Sequence, residues 1–329
     1  LQGINILGSG ICVPENIMTN ADFAKIIDTS DEWITTRTGI KERHISTGEP
    51  TWYLGTCAAK KALEDSNVQA SEIDLIIFST LTGDYCLPSM ACLVQKEIGA
   101  IGCMALDINC ACSGFVYGVD MARRYLATDD VKKVLVIGAE NLSRILDYDD
   151  RATCILFGDG AAACVIEKSE KLYTSHLGAD GNGAGYLVAR QKNTETRWSE
   201  KTVKDYDGFE ATRDHYLLQD GKEVYKFATK ILSTAVIEAL NKVDMTPEQV
   251  DWYIPHQANL RIIQTAANNL GISMDKFIVT LDRYGNTSSA SIPIAFDEAS
   301  KSGKIKKGDI ICFVGFGAGL TYGAAIMEY

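Results

Sequence analysis

The chain has 329 residues, 46% of them hydrophobic and 23% charged, which is enough apolar side chain for a large core in one or two domains. Its formal charge of −11 excludes binding through a nucleic-acid phosphate backbone and a polybasic membrane anchor. No stretch reaches bilayer-spanning length, no basic-then-apolar leader opens the chain, and the ten cysteines include no C-x-x-C pair, so thiols in a reducing, cytoplasmic setting are expected. The four histidines lack zinc-like spacing, and no metal is expected.

In chain order, residues 4–13 (INILGSGICV) read as a first strand. Helical periodicity follows over 54–65, and 73–80 (IDLIIFST) is a β-rich apolar run. An amphipathic helix is predicted at 113–127 and a strand at 133–138. Between 178 and 220 the pattern gives way to GADGNGAG and a charged stretch, a long surface excursion that either covers substrate or is decoration. A helix over 226–242, a strand over 251–254 and a helix over 260–270 follow. Short apolar strands separated by helices of this length predict an α/β fold with a largely parallel sheet covered on both faces.

The chain also aligns with itself. Residues 62–78 match 239–255 without gaps at an offset of 177, each reading helix end, turn and an acidic residue leading into a strand. The same offset lays Asn109 on Asn286, Cys112 on Ser289, Asp120 on Asp297 and Gly138 on Gly315. Two similar halves, 1–171 and 172–329, are expected, with a site drawing residues from both where they meet.

Three residues stand out chemically. Cys112 lies where an apolar strand stops and the 113–127 helix begins, so orphan N–H groups and the positive helix end favour its thiolate; the alternative is a packed structural thiol, the reading preferred for Cys110. His256 follows the strand WYIP, at a strand end of the kind that carries ligands in α/β sheets. Asn286 sits in a Gly- and Ser-rich turn that mirrors the Cys112 loop, and Gly-Asn is also ordinary turn chemistry. The stretches FGDGA (157–161) and GFGAG (315–319) match no phosphate loop, but tight glycine turns bring backbone N–H groups close to a substrate oxygen.

Six stretches in order, DTSDEWITTRTGIKERHI (28–45), the Cys112 loop, RATCILFGDGAAA (151–163), IPHQANLRII (254–263), LDRYGNTSSASIP (281–293) and GFGAGLTYG (315–323), make the chain resemble the β-ketoacyl-acyl carrier protein synthase III family nearly end to end. The resemblance implies a thiolase-type α/β fold, two duplicated halves in five α-β-α-β-α layers, assembled as a homodimer. It implies that Cys112 takes an acyl group from acyl-CoA, with the backbone N–H groups of Cys112 and Ala318 as oxyanion donors. His256 and Asn286 would then hold the thioester carbonyl of malonyl-acyl carrier protein as carbon dioxide leaves, without a metal or redox cofactor. Trp33 and Arg151 correspond to the adenine sandwich of coenzyme A, Arg37 and Thr38 to phosphate contacts and Asn259 to the pantetheine contact. Phe316 and Leu87 belong to the acyl pocket, Phe316 keeping the site dry and Leu87 reaching across the dimer where phenylalanine is common. Lys226 and Arg261 match a carrier-protein docking patch, from which Asn268 and Asn269 depart. A specialised relative that primes or acylates a secondary metabolite, and a non-catalytic binding subunit, are the competing readings.

Overall fold

The computed structural model describes residues 3–190 and 216–329. Its elements run β1 (Gly3–Cys12), β2 (Ile17–Thr19), α1 (Asn20–Phe23), α2 (Asp31–Thr38), β3 (Glu42–His44), α3 (Thr51–Ser66), β4 (Leu75–Ser79), α4 (Met90–Ile98), β5 (Met104–Ile108), α5 (Gly114–Tyr125), β6 (Lys133–Asn141), α6 (Arg151–Cys154) and β7 (Asp159–Ser169). They continue with β8 (Tyr173–Ala179), β9 (Leu187–Val188), β10 (Leu218–Gln219), α7 (Gly221–Asn241), β11 (Trp252–Pro255), α8 (Leu260–Leu270), α9 (Leu281–Tyr284), α10 (Ser291–Lys301), β12 (Ile310–Gly317) and β13 (Thr321–Glu328).

The two main sheets have the orders β1-β7-β6-β4-β5 and β11-β12-β13-β8. Only β4–β5, β4–β6 and β11–β12 are parallel; β1–β7, β6–β7, β12–β13 and β13–β8 are antiparallel. The expectation of a largely parallel sheet is therefore corrected. The reason is local: β12 turns straight back into β13 through residues 318–320, and β7 returns beside β6 without a full crossover helix.

Strand side chains alternate between two cores, which is why these strands read as unbroken apolar runs. In β4, Ile76 and Phe78 pack outward under α3 and α4, whereas Leu75 and Ile77 face the interior. In β12, Ile311 and Phe313 face that same interior, and Cys312, Val314 and Phe316 face α7 and α8. The interior is filled by α5 and α10 through Phe115, Val119, Ile292 and Phe296. The five layers implied by the family resemblance are thus present, with α5 and α10 as the middle one. Gly114 lets α5 lie against β4, since a Cβ there would fall 1.8 Å from Ser79 Oγ.

The offset of 177 reappears in three dimensions. The 3₁₀ turns Ala111–Ser113 and Ser288–Ala290 occupy matching positions, as do α5 and α10, and β6 and β12. Ala111 and Ser288, 177 apart, are both non-glycine residues with positive φ, 45° and 49°. On the middle helices, Asp120 pairs with Arg124 and Asp297 with Lys301, each at 2.7 Å and four residues on. Each aspartate also accepts a serine hydroxyl from the other sheet: Ser175 of β8 reaches Asp120 at 2.6 Å, and Ser9 of β1 reaches Asp297 at 2.8 Å.

Phe313 is fully buried and meets Phe115 and Phe296 edge to face, at ring separations of 5.6 and 5.5 Å. Phe313→Ala is expected to cost about 3–5 kcal/mol, measured as a lowered denaturant midpoint; a change below about 1 kcal/mol would show that the middle layer repacks freely.

Candidate active site

The Cys112 loop begins as β5 ends. Ala111 N–H donates to Asn109 Oδ1 at 3.2 Å, and the positive φ of Ala111 turns the chain so that Cys112 lies two residues before α5. The Ser113 and Thr321 hydroxyls both reach the Cys110 carbonyl, at 2.8 and 3.0 Å, tying the loop to β13 of the other sheet. The end of β12 packs directly behind it: a Cβ on Gly317 would sit 2.6 Å from Cys112 N. Cys112 is 6% exposed, and burial pushes its thiol up to about 12, with the Glu140 carboxylate raising it and a Ser288 hydrogen bond lowering it. The expectation of a standing thiolate is corrected. Near the start of α5 the helix end does not overcome desolvation, so the resting group is a thiol.

His256 extends β11, its N–H donating to Val314 O at 2.8 Å. Its ring is 2% exposed and burial lowers its pKa to about 3, so the imidazole is neutral. Nδ1 lies 2.7 Å from Ser291 Oγ, which also receives the Gln257 N–H at 3.4 Å. Either atom can donate in the bond between Nδ1 and Ser291 Oγ, which holds the ring in place and leaves Nε2 as its other end. Phe316 stands edge-on to the ring at 5.5 Å. Gln257 secures the loop through four bonds, Nε2 to Pro255 O and Ile278 O, and Oε1 from Thr280 and Leu281 N–H.

Asn286 is clamped between Leu156 O and Gly158 N–H, at 2.9 and 3.0 Å, so its backbone bridges to the FGDGA segment of the first sheet. Its Oδ1 accepts the Ser288 N–H at 2.8 Å, which leaves Nδ2 as the free end of the amide, a donor. Cys112, His256 and Asn286 line one cleft of about 880 Å³, with Trp33, Arg37 and Asn259 toward its outer part. Gly315 lies between the two loops, where a Cβ would be in ordinary contact, 3.6 Å from both Cys112 O and His256 Cβ. The structure therefore brings the trio together.

A second cavity opens on the other side of Cys112, lined by Leu81, Leu142, Phe157, Leu187, Leu217 and Ala318. Phe316 lines the first cleft beside His256 and not this one, and Leu87 is 87% exposed and lines neither. At the cleft, the Arg37 and Arg151 guanidinium carbons lie 4.5 and 4.7 Å from the Trp33 ring centre. Thr38 lines the cleft, but its hydroxyl is engaged in the backbone, donating to Ile34 O and accepting Ile40 N–H. Asn259 caps α8 and donates to Arg37 O at 3.1 Å, and Arg261 reaches Thr36 O at 2.8 Å. Lys226 is exposed on α7, which packs on α8, 3.6 Å from Glu223. Asn269 donates to Thr229 O at 2.9 Å.

Glu140, Ser288, Ser291 and Gln257 were not singled out from the sequence. For Glu140 a signal existed: an acid closing the apolar run KVLVIGAEN. Of the polar excursion at 178–220, residues 191–215 lie outside the described residues. On its flanks, Leu187, Val188, Ala189 and Leu217 line the second cavity, and Leu187 and Gln219 the first.

A native histidine that refuses a proton the unfolded chain accepts below its ordinary 6.5 makes stability fall as pH drops from there toward 3. Nitrogen NMR of labelled histidine is expected to show His256 neutral from pH 5 upward; a titration midpoint above pH 5 would refute this.

Comparison with known proteins places this geometry. Residues 106–181 match the family described as 3-oxoacyl-[acyl-carrier-protein (ACP)] synthase III, and residues 240–329 match its C-terminal part. A β-ketoacyl-[acyl-carrier-protein] synthase III of Caldanaerobacter subterraneus subsp. tengcongensis is 48% identical over 98% of this chain and 97% of its own. The crystal structure of the Aquifex aeolicus 3-oxoacyl-[acyl-carrier-protein] synthase III superposes with a TM-score of 0.90 at 45% identity, covering 99% of this chain and 100% of that one. The priming β-ketosynthase of a polyketide biosynthetic pathway superposes with a TM-score of 0.88 at 32% identity, covering 99% and 96%. With its thiol, neutral imidazole and carboxamide gathered in one cleft between two sheets, the chain belongs to the 3-oxoacyl-[acyl-carrier-protein] synthase III family.

Proposed function

We propose that the chain condenses a short acyl group from acyl-CoA with malonyl-acyl carrier protein, releasing carbon dioxide and initiating fatty acid synthesis. The observation that carries this reading is the convergence of Cys112, His256 and Asn286 on one cleft, the imidazole neutral and the carboxamide Nδ2 free as a donor. Cys112 attacks the acyl-CoA thioester, and the backbone N–H groups of Cys112 and Ala318 receive the oxyanion. His256 Nε2–H and Asn286 Nδ2–H then hold the malonyl thioester oxygen. As carbon dioxide leaves, negative charge grows on that oxygen, so both donors bind the enolate more strongly than the ground state. A charged imidazolium is not required, and the chemistry draws on no metal or redox cofactor.

Trp33, Arg37 and Arg151 form the nucleotide end of the coenzyme A site, with Asn259 beside the pantetheine arm; for Thr38 the contact runs through its backbone, because its hydroxyl is taken. Lys226 and Arg261, at the outer faces of α7 and α8, form the basic docking patch for the acidic carrier protein. The halves 1–171 and 172–329 divide the labour, the first supplying the nucleophile and the second the imidazole and carboxamide. The chain acts in the cytoplasm as a homodimer. β5 is an edge strand that carries the exposed Met104, and Leu87, 87% exposed, extends into the partner's acyl pocket. Among the described residues no helix is long and apolar enough to cross a membrane.

Similarity to a polyketide-priming ketosynthase keeps a specialised priming role as the second reading, and the primer decides between them. A series of acetyl-, butyryl-, isobutyryl- and longer acyl-CoA, each with malonyl-carrier protein, separates the two.

Incubation with acetyl-CoA is expected to add one acetyl mass to the Cys112 peptide; an adduct that persists in Cys112→Ser as a thioester elsewhere, or none with any short acyl-CoA, would overturn the reading. His256→Ala is expected to retain acylation and to lose condensation by about 10²–10³-fold, the usual worth of one such donor. Intact decarboxylation with lost acylation would reverse the roles.

A further inference from the structure

Arg43, in the middle of β3, is fully buried, yet among the described residues every oxygen that accepts from it is neutral. Nη1 donates to Asn20 Oδ1 at 2.8 Å and to Met18 O at 3.3 Å, and Nη2 donates to Ile155 O. The guanidinium carbon lies 4.6 Å from the Phe23 ring centre, and Nε has no partner among the described residues. Burial lowers the pKa to about 10, so the group is still a cation near neutral pH. A desolvated cation with neutral partners and an idle N–H is a poor way to hold what apolar packing could hold. Its fork joins two elements of the cleft.

On one side stands α2. Asn20, 1% exposed, accepts from Arg43 on Oδ1 and shares Nδ2 among Asp31 Oδ1 at 2.8 Å, Thr35 Oγ1 at 3.2 Å and Ile40 O at 2.8 Å. Asp31 and Thr35 belong to the helix that carries Trp33 and Arg37. On the other side stands α6, which begins at Arg151 and is capped by Ile155, the acceptor of Nη2. Resting on the reading of Trp33 and Arg151 as the adenine seat, we propose that Arg43 is a positioning residue for the nucleotide end of acyl-CoA. Its guanidinium fixes α2 against α6 and so sets the spacing between the backbones of Trp33 and Arg151. The Arg151 guanidinium lies 4.7 Å from the Trp33 ring centre on a half-exposed side chain that donates to Asp28 O at 2.7 Å. A flat base enters by lifting that side chain, and its seat is ready only if the two backbones keep their distance. One ammonium has no fixed plane with which to reach both sides, so lysine cannot replace the fork. Arg43→Lys does keep the Cβ, from which a Cβ on Gly158 or Gly285 would lie 3.1 or 3.3 Å, and so leaves the close packing beside Asn286 alone.

The rate of acetyl transfer to Cys112 is measured with two donors, acetyl-CoA and acetyl-pantetheine, the second of which lacks the nucleotide. In Arg43→Lys, acetyl-CoA below saturation is expected to react about tenfold more slowly than in the wild type, and acetyl-pantetheine within about twofold of it. A role in general stability would move both rates together, because either donor needs the same Cys112 loop. Equal losses with the two donors, or no loss with either, would sink the proposal. If Arg43→Lys fails to fold, Asn20→Ser decides. Cutting the arm to α2 is expected to slow acetyl-CoA selectively by about threefold or more; a ratio of the two donor rates equal to the wild type's counts against Arg43. Trp33→Ala separates the proposal from the reading beneath it. A selective loss there with none in Arg43→Lys keeps the seat and removes Arg43, whereas no selective loss in Trp33→Ala removes the seat and Arg43 with it. No acetyl adduct on Cys112 of the wild type from either donor would bring down the functional reading first.

Discussion

The arrangement depends on two strained turns meeting face to face at the centre of the molecule. Ala111 and Ser288 hold positive φ without being glycine, a conformation that costs on the order of 1 kcal/mol or more each. The cost is met by the middle layer: α5 and α10 leave these turns and bury themselves between two sheets, and no slack remains for the turns to relax. Close approach needs missing side chains. A Cβ on Gly138 would lie 2.4 Å from Ser289 O, and one on Gly317 would lie 2.6 Å from Cys112 N. With that packing in place, the Cys112 sulfur shares one cleft with the His256 imidazole and the Asn286 carboxamide.

The same packing makes the site dry, and dryness sets its electrostatics. Burial holds Cys112 as a thiol and His256 as a neutral imidazole, so these two groups in the cleft carry dipoles rather than charges. Fixed dipoles in a water-poor cleft stabilise charge that appears during reaction without reorganising. The supporting bonds serve that purpose: Gln257 spends all four amide positions on backbone, Ser291 holds the His256 ring through Nδ1, and Ser288 N–H orients the Asn286 amide. Glu140 is the exception, a buried carboxyl whose partners among the described residues are hydroxyls and the Leu81 and Thr82 N–H groups, and whose pKa burial raises.

Where local pattern decided the outcome, the sequence was legible. The helix predicted over 260–270 matches α8 residue for residue, because its apolar spacing, the Asn259 cap and the Gly271 stop are all local signals. The strand predicted over 133–138 extends to Asn141, because the polar end of β6 is still paired with β7. Strand direction was misjudged because alternation with helices says which faces are covered, not which way the next strand runs. The helix predicted from residue 113 starts at Gly114 behind a 3₁₀ turn, and that turn, invisible to periodicity, is what presents the cysteine.

By itself the sequence determined the α/β class and the internal offset of 177, and it singled out the thiol, imidazole and carboxamide as candidates, since each is carried by periodicity, self-similarity or residue type within a short window. Only the tertiary structure decided that Cys112 rests protonated and His256 neutral, that Thr38 has no hydroxyl to spare, and that Ser288 donates to Glu140. Those outcomes depend on desolvation and on partners as far as 148 positions away in the chain (288 − 140), quantities set by how the two sheets and the helices between them pack and written in no local stretch of residues.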